Sequence, residues 1–497
     1  MSNPANTTNA TIYKLFLFTF LSGILTYGFA LTNFTISIDN EIPILSSYGL
    51  DLGRWGSNLV LYHLFGGHLQ YFSLVLSLFL FSVAAVRISK IFKFHGVAAY
   101  CFCGLFITFP QLSYQVVFGM MAVIASLGIL LSTFFVELFI KGFEIKSLPK
   151  KIALFSAAAL TLMFTLSMYQ AFILVPVTLY TILFFQGTFE DTFKISSEIK
   201  RALLFGAVVL ISGLLYYISV KIICPIQDGG YIDSFVSGNS ENPLSNFISL
   251  CKRHLSGAIY YGEKLYVLVS VLIVLLSINL FLDKKHFIYR FLVLLFLIIS
   301  PFLLSYFITN GYHPPRLFLT TNIVFAFVLV FTMNRFKIIS FPATSIAIIL
   351  ICLLNIYFVT KLFSSVNKIY KHDKKIAEKM DYTIQSKYPN FSTTEKYVYF
   401  FGSFPYEYHQ KFRLQDAEIF GGSFFSWDNG NNYRIINFFR EADVAEYKMV
   451  DTKERFDTIK DSIAKMPIWP DPESVKMIDN TVIIKLGNDK GSPLYFE

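Results

Sequence analysis

Apolar residues in this chain come in long blocks separated by short polar breaks. Eleven blocks stand out, at 12–31, 69–89, 96–110, 115–140, 152–168, 170–186, 203–223, 265–282, 291–308, 317–334 and 338–360. A helix needs about 20 mostly apolar residues to cross a bilayer, and these blocks meet or approach that length. The third is short. Only Met168, Tyr169 and Gln170 separate the fifth from the sixth. The first block carries only Lys14 near its start and lacks a clear small-residue cleavage site, and with ten more apolar blocks behind it, it reads as an uncleaved first helix rather than a signal peptide. In 53–67, Trp55, Leu59, Tyr62 and Leu64 recur at helical spacing. That spacing predicts a helix lying in the membrane interface, with an early start to the second span as the other reading. After residue 360 the pattern changes. A charged stretch at 371–375 opens a helical period to about 387. Strands follow at 397–401 and 481–486, and helices at 431–443 and 452–465. The expected fold is an α-helical multi-pass membrane protein of about 11 transmembrane helices with a small C-terminal α/β domain. The expected boundaries are 1–360 and 361–497.

Composition supports this division. Hydrophobic residues make up 54% of the 497 and charged residues 15%, with a mean hydropathy of +0.55. That is too little charge to cover a soluble surface of this size and too much apolar content for disorder. Residues 361–497 carry twenty basic and twenty acidic residues, so the net charge of +9 arises entirely in the first 360. The basic excess lies between apolar blocks, where it sets topology. No basic stripe suits a nucleic-acid backbone, and no nucleic-acid partner is expected. With a cytoplasmic N-terminus, the inner loops hold fifteen Lys and Arg. The outer ones hold five, namely Arg54, Lys252, Arg253, Lys264 and Arg316. An odd number of spans then places the C-terminal domain outside. The outer loops are 32–68, 224–264 and 309–316, the longer and chemically richer set.

Candidate chemistry concentrates on that outer side. Asp39 and Glu41 follow the first span directly. A carboxylate fixed at a helix exit can act as a general base, whereas a helix C-terminus does not itself favour an anion. A solvated loop start is the plain alternative. Arg54 is the only basic residue of 32–68 and is suited to an anion, with a snorkelling side chain beside Trp55 as the competing account. His313, Pro314, Pro315 and Arg316 form a stiff turn, in which a fixed guanidinium matches phosphate geometry. Tyr169 and Gln170 fall in a hairpin between two spans, where Gln170 can bond a sugar hydroxyl or simply end a helix. In the glycine-rich stretch 421–430, Trp427 beside Asp428 and Asn429 has the makings of a sugar platform, or of an ordinary packed loop. Cys224 and Cys251 share the 224–264 loop and allow either a disulfide or two free thiols. Cys101, Cys103 and Cys352 fall within spans. Phosphate-binding glycine loops, dinucleotide fingerprints, HExxH and paired CxxC are lacking. This disfavours a nucleotide-driven pump and a nucleotide-sugar enzyme. No cofactor is expected, although Asp39 and Glu41 leave a divalent metal open.

Taken in order, these elements resemble the GtrII-like, phage-encoded, serotype-converting O-antigen glucosyltransferases. The shared features are Ile38-Asp39-Asn40-Glu41 after the first helix, Gly53-Arg54 a dozen residues on, Tyr169-Gln170 mid-chain, and an external C-terminal domain. The layout covers essentially the whole chain, while each motif is short. Asn40 stands where the family commonly has a second Asp, which leaves the base open between Asp39 and Glu41. Trp55 replaces the usual Pro after Gly-Arg. The resemblance implies a GT-C-like fold in the bacterial inner membrane, with a periplasmic working face. It implies an inverting transfer of glucose from undecaprenyl-phosphate glucose to an O-antigen polysaccharide or lipid-linked O-unit. Asp39 or Glu41 would be the base. Arg316, Arg54 and His313 would hold the donor phosphate, and Tyr169, Gln170, Trp427 and Asp428 would contact sugar. An O-antigen polymerase or ligase, and a lipid-linked sugar flippase or transporter, are the other classes open to such a chain.

Overall fold

The computed structural model describes residues 4–67, 69–191, 193–225, 243–308, 313–392, 395–404, 413–450 and 453–488. Residues 226–242 of the 224–264 loop and 309–312 of the 309–316 loop lie outside the described residues. The chain forms two compact units. One comprises residues 1–31 and 44–360, and the other residues 32–43 and 361–497. The sequence reading had kept all of 32–68 with the membrane-spanning part.

The first unit is helical, and each of the eleven apolar blocks contains a helix. Among the described residues, nine helices are long and apolar enough to cross a membrane, and ten if one bent pair counts as a single span. That pair is Val97–Thr108 with Pro110–Val116, bent by 43°. Pro110 follows Phe109, whose extended backbone (φ −63°, ψ 128°) ends the first helix, as the residue before a proline tends to do. The tenth block gives a shorter element, Thr321–Arg335. Fifteen residues at 1.5 Å each reach about 22 Å, short of the roughly 30 Å hydrocarbon core. The residues ahead of it, Pro315–Leu317, form a single tight turn and do not extend it. The count is therefore below eleven, and the architecture remains consistent with a GT-C-like layout. All five cysteines are free, Cys224 and Cys251 included.

Two breaks matter for the site. Helix Leu148–Met168 ends at Tyr169, whose backbone is extended (φ −161°, ψ 124°), and a short turn, Gln170–Ile173, follows. The 53–67 stretch forms its own element. It is one helical turn at Trp55–Asn58 continued by a π-helical segment, Leu59–Leu64, and is separate from the span that begins at Gln70. Leu59, Tyr62 and Leu64 are exposed. This is the face an interfacial helix presents to lipid.

The second unit packs a four-stranded sheet. Its strands are β1 (Tyr397–Phe401), β2 (Lys448–Met449), β3 (Val475–Ile478) and β4 (Thr481–Lys485), in the order β2-β1-β4-β3. β1 runs parallel to both β2 and β4, and β3 returns antiparallel against β4. The two central strands are almost wholly buried, which explains why they read as unbroken apolar runs. Helix Lys453–Ile463 covers one face through Ile459 and Ile463, which meet Tyr397, Tyr399 and Ile483. Helix Asn432–Glu441 belongs to a separate aromatic cluster, with Phe439 5.1 Å from Phe400 and Phe438 stacked 4.2 Å from Phe424. The long helix Pro342–Lys387 contributes its residues from Lys361 onward to this unit. Its buried Asp373 accepts from the Phe424 amide (2.9 Å) and the Ser423 hydroxyl (3.0 Å), fixing the start of the glycine-rich loop.

That loop turns through three successive left-handed residues, Asp428, Asn429 and Gly430 (φ 49°, 58° and 83°). At Gly430 a side chain has no room, because a Cβ would lie 2.0 Å from the Gly402 carbonyl oxygen. Gly430→Ala therefore combines an unfavourable φ with a backbone collision, for a cost of about 3 kcal/mol. We expect a lowered thermal midpoint and reduced accumulation of the variant. An unchanged midpoint in scanning fluorimetry would contradict the close approach.

Candidate functional site

The acidic element belongs to the second unit and is held there by specific contacts. Asn367 donates to the Phe34 carbonyl (3.1 Å) and the Thr35 hydroxyl (2.7 Å). Ile36, Ser37 and Ile38 are buried. Asn40 closes a turn on Ser37 through its amide N–H (3.0 Å) and its side chain (2.8 Å). Asp39 sits at the turn with φ 74°, a conformation that Asp tolerates better than most residues. Asn40 therefore serves as a turn-former, which explains how this position does without a second carboxylate.

One residue that the sequence reading did not single out organises this element. Arg434 lies in the first turn of helix Asn432–Glu441, whose N-cap Asn431 accepts from the Tyr433 and Arg434 amides (3.0 and 3.3 Å). Its Nη1 donates to Asp39 Oδ1 (2.8 Å) and Glu41 Oε1 (2.5 Å), and its Nε donates to Asp428 Oδ2 (2.6 Å). The side chains are graded in exposure, with Glu41 at 0%, Arg434 at 16% and Asp39 at 32%. Trp427 is half-buried, and Asp428 faces outward. Asp428 thus joins the acidic pair through Arg434.

Protonation follows from charge and burial together. Burial pushes the Glu41 carboxyl up, Arg434 pulls it down and Asp39 pushes it up again, leaving it at about 7 against an ordinary 4.5. One guanidinium cannot neutralise three carboxylates, so the fully buried one keeps its proton most readily. Burial opposes the charge on Arg434, but Asp39, Glu41 and Asp428 outweigh it and raise its pKa. Glu41 Oε2 is buried without a hydrogen-bond partner. Between pH 4.5 and 7 the folded chain retains a proton that the unfolded chain has released. Stability therefore falls across that window and is flat above it, by up to about 3 kcal/mol. We expect the thermal midpoint of the wild type to decline from pH 4.5 to 7, and Glu41→Gln to remove that decline. An equal slope in both proteins would place the titration elsewhere.

The first unit holds a second constellation. Gly56 has no room for a Cβ, which would lie 2.3 Å from Ser167 Oγ, so the Trp55–Asn58 turn seats directly on the end of helix Leu148–Met168. Ser57 Oγ donates to the Met168 carbonyl (2.7 Å), and Trp55 Nε1 donates to Ser219 (2.9 Å). This seating brings Arg54 over the Tyr169 ring (4.8 Å) and its Nε within 3.5 Å of Gln170 Oε1. Gln170 Nε2 donates to the Leu52 carbonyl (2.7 Å) and Tyr216 Oη (2.9 Å). Arg54 and the Tyr169–Gln170 pair, singled out separately in the sequence, thus form one group.

The turn at 313–316 is clamped from below. Gln111 donates to the Pro315 carbonyl, Gln115 to that of Arg316 (2.6 Å), and Tyr260 to that of His313. The Arg316 guanidinium lies 5.3 Å over the Phe118 ring. Burial and the neighbouring His254 push the His313 imidazole below its ordinary pKa, which favours the neutral ring. Gln111 and Gln115 carry no sequence signal for this role beyond being polar residues in an apolar block. Among the described residues, no group of three or more His, Cys, Asp or Glu converges as a metal site.

The family model for glucosyl transferase GtrII matches residues 28–333. The chain belongs to the GtrII glucosyl transferase family. Membership makes it a glycosyltransferase, with a sugar donor and an acceptor, and the long apolar helices make it a membrane protein. The match includes Asp39, Glu41, Arg54, Tyr169, Gln170, His313 and Arg316. It ends well before Trp427, Asp428 and Arg434. No curated protein and no solved structure matches this GtrII chain.

Proposed function

We propose that this GtrII protein transfers glucose from undecaprenyl-phosphate glucose to a sugar of the O-antigen, on the periplasmic face of the bacterial inner membrane. In this reading the N-terminus is cytoplasmic and the C-terminal domain periplasmic. The observation that carries the reading is the paired carboxylates after the first helix, one partly exposed and one fully buried, within the segment matched to the family. Asp39 is the exposed member and is the base. It takes the proton of the acceptor hydroxyl as that oxygen bonds to the anomeric carbon. The bond from that carbon to the donor phosphate breaks, and undecaprenyl phosphate departs with the electron pair. Glu41, sealed from solvent, supports Asp39. Arg54 and Arg316 stabilise the charge developing on the phosphate, where fixed cations in a water-poor setting act most strongly, and His313 lies beside Arg316. Tyr169 and Gln170 orient Arg54 and the donor. Trp427 and Asp428 offer a ring face and a carboxylate to an acceptor sugar.

The test is transfer of labelled glucose from the lipid donor to O-antigen in membranes containing the full chain. The product should have the opposite anomeric configuration from the donor. Retained configuration would sink the one-step displacement. Movement of donor across the membrane without transfer would reassign the chain as a transporter.

A further inference from the structure

We infer that Arg434 is the positioning residue of the transfer reaction, orienting Asp39 toward the acceptor and making the C-terminal unit part of the catalytic machinery. This rests on the transferase reading above and assigns a role to a residue beyond the stretch that the family model matches.

A guanidinium only 16% exposed loses hydration that a surface pair would keep. A well-packed apolar group is often as stable as a buried ion pair, so stability alone is a weak reason for such an arrangement. What the arrangement supplies is geometry. Nη1 reaches Asp39 and Glu41 together, and Nε holds Asp428 from another edge of the same plane. The guanidinium therefore cannot rotate without breaking at least one contact. It engages one oxygen of Asp39 while that side chain remains 32% exposed, leaving the carboxylate accessible to an acceptor. Asp39 is in addition held in a left-handed backbone conformation (φ 74°), which persists only where the surroundings enforce it. Arg434 is one of the contacts that enforce it.

The charges bearing on Glu41 are those of Arg434 and Asp39. Those bearing on Arg434 are Asp39, Glu41 and Asp428. Removing the cation leaves the buried Glu41 carboxylate unneutralised, so Glu41 holds its proton to higher pH. The reaction then loses the orientation of its base.

The test compares wild type, R434Q and R434K as full-length protein in membranes, at matched accumulation. We expect kcat to fall about tenfold to a hundredfold in both variants, as misplacement of a reacting group by an ångström produces, with donor KM within about twofold. A lysine ammonium keeps the charge but cannot span three carboxylates, so R434K should not restore the rate. A readout independent of turnover is the infrared carboxyl band assigned to Glu41 by its loss in E41Q. It should titrate near pH 7 in wild type and at higher pH in R434Q, which lacks the cation. Wild-type kcat in either variant, or an unmoved Glu41 band in R434Q, would overturn the role of Arg434. A wild type that transfers no sugar would instead sink the transferase reading, and the infrared titration would still decide whether Arg434 governs the acids. Should R434Q fail to accumulate, R434K carries the kcat comparison, and wild-type kcat there would overturn the role.

Discussion

Asp39→Asn should lower kcat for sugar transfer by about 10²–10⁴-fold, the usual contribution of a general base, while donor KM stays within about twofold. The substitution keeps the shape and the left-handed turn, which Asn also tolerates, and keeps an oxygen for Arg434 at the Oδ1 position (2.8 Å). What it removes is the ability to take a proton. Because that ability matters only as the acceptor oxygen bonds to carbon, the loss falls on kcat rather than on binding. Glu41→Gln should cost less, about tenfold, because a side chain with 0% exposure cannot touch the acceptor and acts through Arg434. The ranking is the informative result. An inactive Glu41→Gln beside an active Asp39→Asn would hand the base to Glu41. Full activity in both would remove the acid pair from the mechanism. Equal thermal midpoints of wild type and Asp39→Asn confirm that chemistry is being compared rather than folding.

The parts of the molecule that depend on local pattern were legible, and those that depend on distant contacts were not. Each apolar block became a helix because a segment in lipid must satisfy its backbone hydrogen bonds internally, which a helix does. The tenth block fell short because apolar composition continues through Phe318 and Leu319, where the backbone is still in turns. Apolar residues in a buried turn look the same as those in a span. β1 and β4 were readable because central parallel strands are apolar on both faces. Arg434 was not, since it stands 393 residues from Glu41. In sequence it is one polar position in an amphipathic helix, whose polar face is normally solvated. The signals that bear on it are short-range. Asn431 marks a helix start, and Asp428 lies six residues ahead. The same limit applies in the first unit. Arg54, Tyr169 and Gln170 each invited attention by residue type and place, but their contact across 116 positions is a property of packing at Gly56 and Met168. Asp428 was read as a sugar ligand because exposed acids beside Trp suit that role, and its pairing with Arg434 emerges only from the left-handed loop.

Arg54→Ala should reduce kcat/KM for the lipid donor by about 10²–10³-fold, the loss typical of removing one fixed electrostatic contact to a developing anion. The guanidinium is held over Tyr169 at 4.8 Å and beside Gln170 at 3.5 Å, and neither contact neutralises its charge. A cation fixed by a ring and an amide, rather than by a carboxylate, retains its full attraction for a phosphate. Arg54→Lys should recover part of the loss, since an ammonium supplies charge without the fork. Gln170→Leu tests the positioning directly. It removes the bonds to the Leu52 carbonyl and Tyr216 (2.7 and 2.9 Å) while leaving Arg54 charged, and about a tenfold loss is expected from a looser guanidinium. The Arg316→Ala variant separates the two candidate cations. If it loses 10²–10³-fold while Arg54→Ala does not, the donor phosphate belongs to the turn clamped by Gln111 and Gln115. Arg54 would then be left to anchor the Trp55 helix. Comparable losses in both single variants, with a double variant worse than either, would mean that the leaving phosphate is gripped by two cations. The departing charge would then be shared between the 32–68 and 309–316 loops.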